Sequence, residues 1–159
     1  MEERVGHLRW VLERQIHWIS AADAKAGALI AVYIALFTVT LAALEATHPT
    51  PGIKALLALG GALMCVGLAM ALCVFLPRTE YQYPSDIYFG GIVKWDVLSF
   101  IDRAASLDAE AIAKDLVQQI YVNADIATVK HRYVKRSLLF GSLAMVFWLL
   151  GVAIAGAST

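Results

Sequence analysis

Three long stretches without a charged side chain constrain the fold of this 159-residue chain more than any other feature. They comprise residues 26–44, 55–77 and 137–159. An α-helix needs about 20 apolar residues to cross the roughly 30 Å hydrocarbon core of a bilayer, and each stretch is close to that length or above it. All 26 charged residues lie elsewhere, at a density normal for a soluble domain. The chain is therefore predicted to be an integral membrane protein, which disfavours soluble enzymes and nucleic-acid-binding domains.

Helical periodicity extends the first and third spans beyond the membrane. Ahead of the first span, apolar residues recur at intervals of three and four, which is typical of an amphipathic helix: Val5, Leu8, Leu12, Ile16 and Ile19. Ser106 is the expected N-cap of a second long helix, and its apolar stripe runs into the third span through Ile112, Leu116, Ile120, Ala127, Val134 and Leu138. Gln119, Asn123 and Lys130 interrupt this stripe.

These patterns predict an all-α integral membrane protein with three transmembrane helices. Two of the helices are expected to extend into a cytoplasmic helical stalk, and a short extra cytoplasmic helix is expected where Trp95, Leu98 and Ile101 share a face. The predicted segments are an amphipathic helix over 1–25, transmembrane helices over 26–46, 55–76 and 137–157, and a cytoplasmic helical segment over 77–136.

The distribution of basic residues predicts the orientation. Twelve of the 13 lie ahead of the first span or between the second and third spans. Because basic residues near span ends are retained on the cytoplasmic side, the N-terminus and residues 77–136 should be cytoplasmic and the C-terminus outside. The span interiors carry few polar side chains, which argues against a selective channel or a proton-coupled transporter.

Asp23 and Lys25 lie where the first span begins, and two interpretations of them stay open. Asp23 could be solvated while the Lys25 side chain reaches towards the headgroups. Alternatively Asp23, which lies on the packing stripe, pairs with a base of the other long helix, because ionisable groups at membrane depth are normally partnered. Lys130 matches that stripe, and Arg136 could compete for the same carboxylate.

Residues 130–136 carry four basic residues and no acid. Such clusters commonly obey the positive-inside rule and attract anionic lipid. They could instead bind a phosphate-bearing ligand, since cations bind phosphate while amides and aromatic rings contact a nucleobase. Gln119, Asn123, Tyr88 and Phe89 offer such groups, although a buried structural network explains them equally well. No arrangement of catalytic residues or metal ligands is present, so we expect no enzymatic activity, metal or cofactor.

Four motifs, in this order, resemble the Pycsar transmembrane effector family. They are residues 22–29 (ADAKAGAL), 76–78 (LPR), 85–90 (SDIYFG) and 119–126 (QIYVNADI), the last followed by Lys130 and Tyr133. The resemblance covers nearly the whole chain. It implies ligand-binding or coupling roles for the residues of these motifs that also stand out in the residue pattern: Asp23, Lys25, Arg78, Tyr88, Phe89, Gln119, Asn123, Lys130 and Tyr133.

The resemblance also implies a function. Members of the family are antiphage effectors of the bacterial inner membrane, activated by a cyclic nucleotide, typically a pyrimidine cyclic mononucleotide, that a cognate cyclase makes on infection. We expect this chain to act in the same way as a homo-oligomer that contacts the lipid bilayer and impairs it, causing abortive infection. The alternative is a non-enzymatic membrane scaffold or anchor for a partner protein, in which the same polar residues only lock helices together.

Overall fold

The computed structural model describes residues 2–47, 50–77 and 85–157, and within these ranges it contains helices and no strand. Helix α1 is Glu2–Thr47, and α2 is Pro51–Leu72 with a 3₁₀ turn, Cys73–Phe75, directly after it. The short helices α3, Phe89–Ile92, and α4, Val97–Ser106, precede the long helix α5, Ala109–Ala157. In the described ranges α1, α2 and α5 are long and apolar enough to cross a membrane. The predicted all-α, three-span fold class is confirmed, whereas the cytoplasmic stalk stays a prediction.

The start of α5 differs from the sequence expectation. Asp108, not Ser106, is the residue that caps this helix, because its carboxylate accepts a hydrogen bond from the backbone N–H of Ala111 at 2.7 Å. The Ser106 hydroxyl instead donates backwards to the carbonyl of Arg103, within the last turn of α4. Two helix ends meet in this short connection, and Ser106 belongs to the earlier one.

The chain divides into two compact units. The charged unit comprises Met1–Ala21 and Pro77–Val129, and the span unit comprises Ala22–Leu76 and Lys130–Thr159. Helices α1 and α5 each contribute residues to both units. The span unit contains the predicted transmembrane segments, and the charged unit contains α3 and α4.

In the charged unit, the beginning of α1 packs against the beginning of α5. Val5 is buried with Ala113 and Leu116, and Leu8 and Leu12 cover this cluster. The amphipathic stripe predicted ahead of the first span therefore forms part of a core. Ile16 lies on the same stripe but is about half exposed.

The span unit is held together around the buried ring of Tyr33. This side chain of α1 packs with Met64 and Ala71 of α2 and with Ala144 of α5. Its hydroxyl donates a hydrogen bond to the backbone carbonyl of Ser137 at 2.6 Å. The Ser137 hydroxyl donates to the carbonyl of Gly67 at 2.8 Å, so three helices meet at one polar cluster.

This cluster corrects the predicted stripe of α5. The expected apolar position, Leu138, is about half exposed, and the fully buried residue is Ser137. After Val134, the next buried position of α5 is three residues further on, at Ser137, and not four residues further on. A helix has 3.6 residues per turn, so the buried positions along one face are separated by a mixture of three and four residues. A hydroxyl can occupy this buried position because it has hydrogen-bond partners.

Two glycines make room for the Tyr33 phenol. A Cβ atom added at Gly67 would lie 2.9 Å from the Tyr33 hydroxyl oxygen, and one added at Gly141 would overlap the same group. Small residues at helix contacts in membranes allow this kind of close approach. Gly27 differs from them, because a Cβ there meets no atom within 4 Å.

Gly141→Ala is therefore expected to displace the Tyr33 ring and weaken its bond to Ser137. Overpacking of this kind lowers the free energy of unfolding by about 1–3 kcal/mol. Thermal unfolding in detergent, followed by circular dichroism, measures the effect, and Gly27→Ala is the matched control. Equal unfolding midpoints for the two variants would contradict this account of the cluster.

Candidate functional site

An ion pair in the span unit joins the two long helices. The Lys130 ammonium of α5 lies 2.5 Å from a carboxylate oxygen of Asp23 in α1. The Lys130 side chain is mostly buried, and that of Asp23 is one third exposed. This pair is one of the two alternatives left open by the sequence, in which Asp23 and Lys130 lie on the packing stripes of their helices. The competing candidate, Arg136, is exposed.

Two other predicted residues lie on the same segments. Lys25 is exposed, so it is available to headgroups or to a ligand. Tyr133 is half-buried and packs against a cluster that contains Ala22, Ala26 and Val134. The basic residues Arg132 and Lys135 are exposed. Tyr133 thus has a packing role, and the exposed cations keep both interpretations of the basic cluster open.

In the charged unit, Ser85 is the centre of a polar network. Its hydroxyl oxygen accepts hydrogen bonds from the backbone N–H groups of Ile87 and Tyr88, at 3.2 and 2.9 Å, and from the Gln119 side-chain amide at 3.0 Å. Its own proton is donated to Asp115 at 3.2 Å. Gly91 allows the backbone to pass close to Ser85, because a Cβ atom added at Gly91 would overlap the Ser85 backbone.

Asp115 anchors the same network from α5. One oxygen of its buried carboxylate accepts the backbone N–H of Asp86 at 2.7 Å as well as the Ser85 hydroxyl. The other oxygen is buried and has no hydrogen-bond partner within the described ranges. Only one of the two carboxylate oxygens therefore has hydrogen-bond partners. An unpaired buried acceptor costs about 1–3 kcal/mol.

The remaining predicted residues of the charged unit lie beside this network. Gln119 is buried and contributes its amide, while the Asn123 amide donates to the Gln119 carbonyl at 2.8 Å. The rings of Tyr88 and Phe89 contact each other with centroids 4.6 Å apart, and Phe89 is exposed. Gln119 is thus committed to a structural contact, whereas the Phe89 ring has a face open to solvent.

A second part of the network reaches α4. The Arg103 guanidinium pairs with Asp86 at 2.5 Å and lies over the Trp95 ring. The hydrogen bond from Arg103 to Asp86 raises the pKa of Arg103, and the charge of the carboxylate adds to this. The α4 N-cap Asp96 accepts N–H bonds from Leu98 and Ser99.

Hydrogen bonding lowers the pKa of the exposed Asp96 carboxyl, first through the Ser99 side chain and then through the Ser99 backbone. A lowered pKa means that the native state favours the ionised carboxylate. Its contribution to stability is fully present above the ordinary pKa of 3.8 and is lost as the pH falls through the lowered value. The cap of α4 is therefore retained at neutral pH.

The predicted site residues thus fall into two groups. Asp23, Lys25, Lys130 and Tyr133 belong to the span unit, and Tyr88, Phe89, Gln119 and Asn123 belong to the charged unit. Arg78 lies outside the described residues. That all nine act in one ligand-binding or coupling site stays a prediction.

Sequence reasoning missed Ser85, Asp86, Asp115 and Arg103 as a network. Ser85 and Asp86 lie in a segment that has the composition of a turn, and their partners are 17 to 34 residues away. One signal was available. Asp115 shares a helix face with Ile112, Leu116 and Gln119, and an acid on an apolar stripe indicates a buried polar contact.

Comparison with known proteins gives two matches. The sequence profile of the Pycsar effector protein domain matches residues 7–157. The chain is also similar to the Pycsar effector protein PtPycTM of Propioniciclava tarda, with 24% identity over 147 residues that cover 86% of this chain and 72% of the relative. No solved structure matches the chain significantly.

The Asp23–Lys130 pair is expected to show energetic coupling. Asp23→Asn and Lys130→Gln should each destabilise the protein, and the double variant should lose less than the sum of the two. Contacting charged residues typically couple by about 0.5–3 kcal/mol. Unfolding by sodium dodecyl sulfate in mixed micelles supplies the four free energies of this cycle. Lys25→Gln, exposed on the same helix, is the control, and strictly additive effects would refute the coupling.

Ser85→Ala is expected to open the segment around Ile87 and Tyr88. Their backbone N–H groups lose the acceptor that holds them, so amide hydrogen exchange there should accelerate by about tenfold or more, as the loss of one hydrogen bond implies. Exchange measured by mass spectrometry tests this. Ser106→Ala, which removes only one exposed hydrogen bond, should leave the segment unchanged. Equal exchange in both variants would show that Ser85 does not hold the segment.

Proposed function

The chain belongs to the Pycsar effector protein family, which makes it a membrane effector of antiphage defence, and we propose that it responds to a cyclic nucleotide by impairing the bacterial inner membrane. The activating ligand is a pyrimidine cyclic mononucleotide made by a cognate cyclase. Damage to the membrane stops the infected cell and so limits the phage. The protein performs no catalysis itself.

The observation that supports this proposal most is the set of polar contacts that join the three spans. Tyr33, Ser137 and Gly67 join all three helices through buried hydrogen bonds, and Asp23 pairs with Lys130. Such contacts hold one discrete arrangement, and breaking them allows another. A ligand shifts the balance by its differential affinity for the two arrangements. Helices α1 and α5 are unbroken and contribute to both units, so a change in the charged unit has a covalent route into the spans.

The proposed topology follows from charge. The N-terminus and the segment between the second and third spans carry almost all basic residues, and the spans between them are uncharged. The positive-inside rule then places both basic parts in the cytoplasm, where a cyclase product would be encountered, and the C-terminus outside. Exposed Arg132, Lys135 and Arg136 contact anionic lipid in this arrangement.

Self-association of the protein is part of the proposal. Helix α4 has no buried residue, and Val97, Leu98 and Ile101 on it are largely exposed. In the beginning of α1, Trp10 is also exposed. Exposed apolar side chains grouped on one helix, such as those of α4, mark interaction sites when they lie outside a membrane. A homo-oligomer gives this surface a partner and brings several sets of spans together.

The predicted site residues have distinct roles in this scheme. Asp23 and Lys130 couple the helices, and Tyr133 supports them by packing. Gln119 holds the segment that carries Tyr88 and Phe89 close to α5. The Asn123 amide donates to the backbone carbonyl of Gln119 within α5. Lys25 and Arg78 contribute positive charge.

Ligand-dependent permeability is the deciding measurement. Cells that express the protein should take up an impermeant dye such as propidium iodide only when a cyclase supplying 3′,5′-cyclic UMP is co-expressed. In the Asp23→Asn and Lys130→Gln variants, checked for membrane insertion, dye uptake should be the same with and without the cyclase. Wild-type cells that stay impermeable in the presence of the nucleotide would refute the proposed function. A full response in both variants would refute only the coupling role of the pair.

The exposed face of α4 also favours a second candidate function, a membrane scaffold whose partner is another protein. In that case the polar residues only lock helices, and the solubilised protein should bind no cyclic mononucleotide. Titration calorimetry against a panel of cyclic nucleotides separates the two candidates. Binding supports the effector mechanism, and its absence together with impermeable cells supports the scaffold.

A further inference from the structure

The charged unit contains a cavity between α1, the segment that begins at Ser85, and α5. Its volume is about 380 Å³, which lies within the range of about 300–1,000 Å³ found for small-molecule sites. Apolar side chains form most of its wall, with Leu12 and Ile16 from α1 and Leu116 from α5. Two charged residues, Arg9 and Glu13, complete the α1 side.

Arg9 and Glu13 are one helical turn apart on α1, yet neither has an ion-pair partner within the described ranges. An arginine donates paired hydrogen bonds to a phosphate, and a carboxylate accepts hydrogen bonds from ribose hydroxyls. The aliphatic side chains of the wall can pack against the faces of a nucleobase. The cavity therefore offers one group for each part of a nucleotide.

The charge of the cavity limits the ligand further. Arg9 can neutralise one negative charge of a ligand, and among the described residues the cavity wall has no second cation to neutralise another. A cyclic phosphodiester carries one charge, whereas a nucleoside monophosphate carries up to two and a triphosphate more. Glu13 repels the additional charges, which favours the cyclic form.

A second observation points to a ligand at this cavity. Ile87 lines it and also donates its backbone N–H to Ser85, which is bonded to the half-satisfied carboxylate of Asp115. Asp115 directly precedes the lining residue Leu116 in α5 and keeps one buried oxygen without a donor in the part of the chain that the structure describes. A rearrangement of the segment that brings a donor to this oxygen would recover part of the cost of the unpaired acceptor. A ligand that touches Ile87 can select it.

We infer that this cavity is the sensor site, where Arg9 binds the cyclic phosphate, Glu13 accepts the ribose 2′-hydroxyl and the apolar wall holds the base. The inference rests on the proposed function, because it gives the nucleotide response a location. The Ser85–Asp115 network transmits the occupancy of the site to α5. Gln119, which donates to Ser85, acts in that transmission and lies outside the cavity wall.

Isothermal titration of the full chain in detergent micelles tests the site with three probes: 3′,5′-cyclic UMP, its 2′-deoxy analogue and linear 5′-UMP. The wild type should prefer cyclic UMP to each of the others by about tenfold, as one lost or repelled charged contact implies. Arg9→Gln should weaken binding of cyclic UMP by about tenfold or more. Arg4→Gln, also exposed on α1 but outside the cavity wall, should bind as the wild type does.

Two further variants separate ligand contact from general damage to the fold. Ile16→Trp fills the cavity from a half-exposed position and should abolish binding while the unfolding midpoint is retained. Glu13→Ala should remove the preference for the 2′-hydroxyl and also weaken the discrimination against linear 5′-UMP, because Glu13 supplies both. Wild-type affinity for cyclic UMP in both Arg9→Gln and Ile16→Trp would overturn the site. If dye uptake still depends on the nucleotide, that result refutes the location alone; if wild-type cells stay impermeable, the proposed function fails.

Discussion

The hydrogen bond from the Tyr33 hydroxyl to the Ser137 carbonyl is the interaction on which the span unit depends. Apolar helices in lipid gain little by burying apolar surface against one another, so association relies on close packing and on interhelical hydrogen bonds. Tyr33 provides both, because its ring fills the space left by Gly67 and Gly141 and its hydroxyl meets a polar partner. The Ser137 hydroxyl then extends the contact to α2.

The charged unit follows a different logic. There the apolar faces of α1 and α5 form a conventional core around Val5 and Leu116, and the loop at Ser85 is held by a network of side chains. That network is not fully satisfied at Asp115, and it borders a cavity with an unpaired Arg9 in the described ranges. Buried polar atoms normally have a hydrogen-bond partner, so the second Asp115 oxygen is an exception among the described residues.

Much of the fold was predictable, because uncharged runs and helical periodicity are local features of the sequence. The Asp23–Lys130 pair was also predictable, since both residues lie on the stripes of long helices. The exact residue of α5 that is buried was not predictable. Whether Ser137 or Leu138 faces the other helices depends on the hydrogen-bond partner that Ser137 finds in α2. The Ser85 network and the cavity were missed for the same reason: their members are brought together by tertiary packing, which spacing along the chain does not encode.

Three polar side chains within the spans are engaged inside the protein. The Thr38 hydroxyl donates to the carbonyl of Ile34, the Thr40 hydroxyl to that of Leu36, and the Trp148 indole N–H donates to Thr40. These groups therefore offer little to water or to ions. Under the proposed function, these three groups give protons no polar path across the spans while the ligand is absent, so the energetic cost of defence falls only on the infected cell.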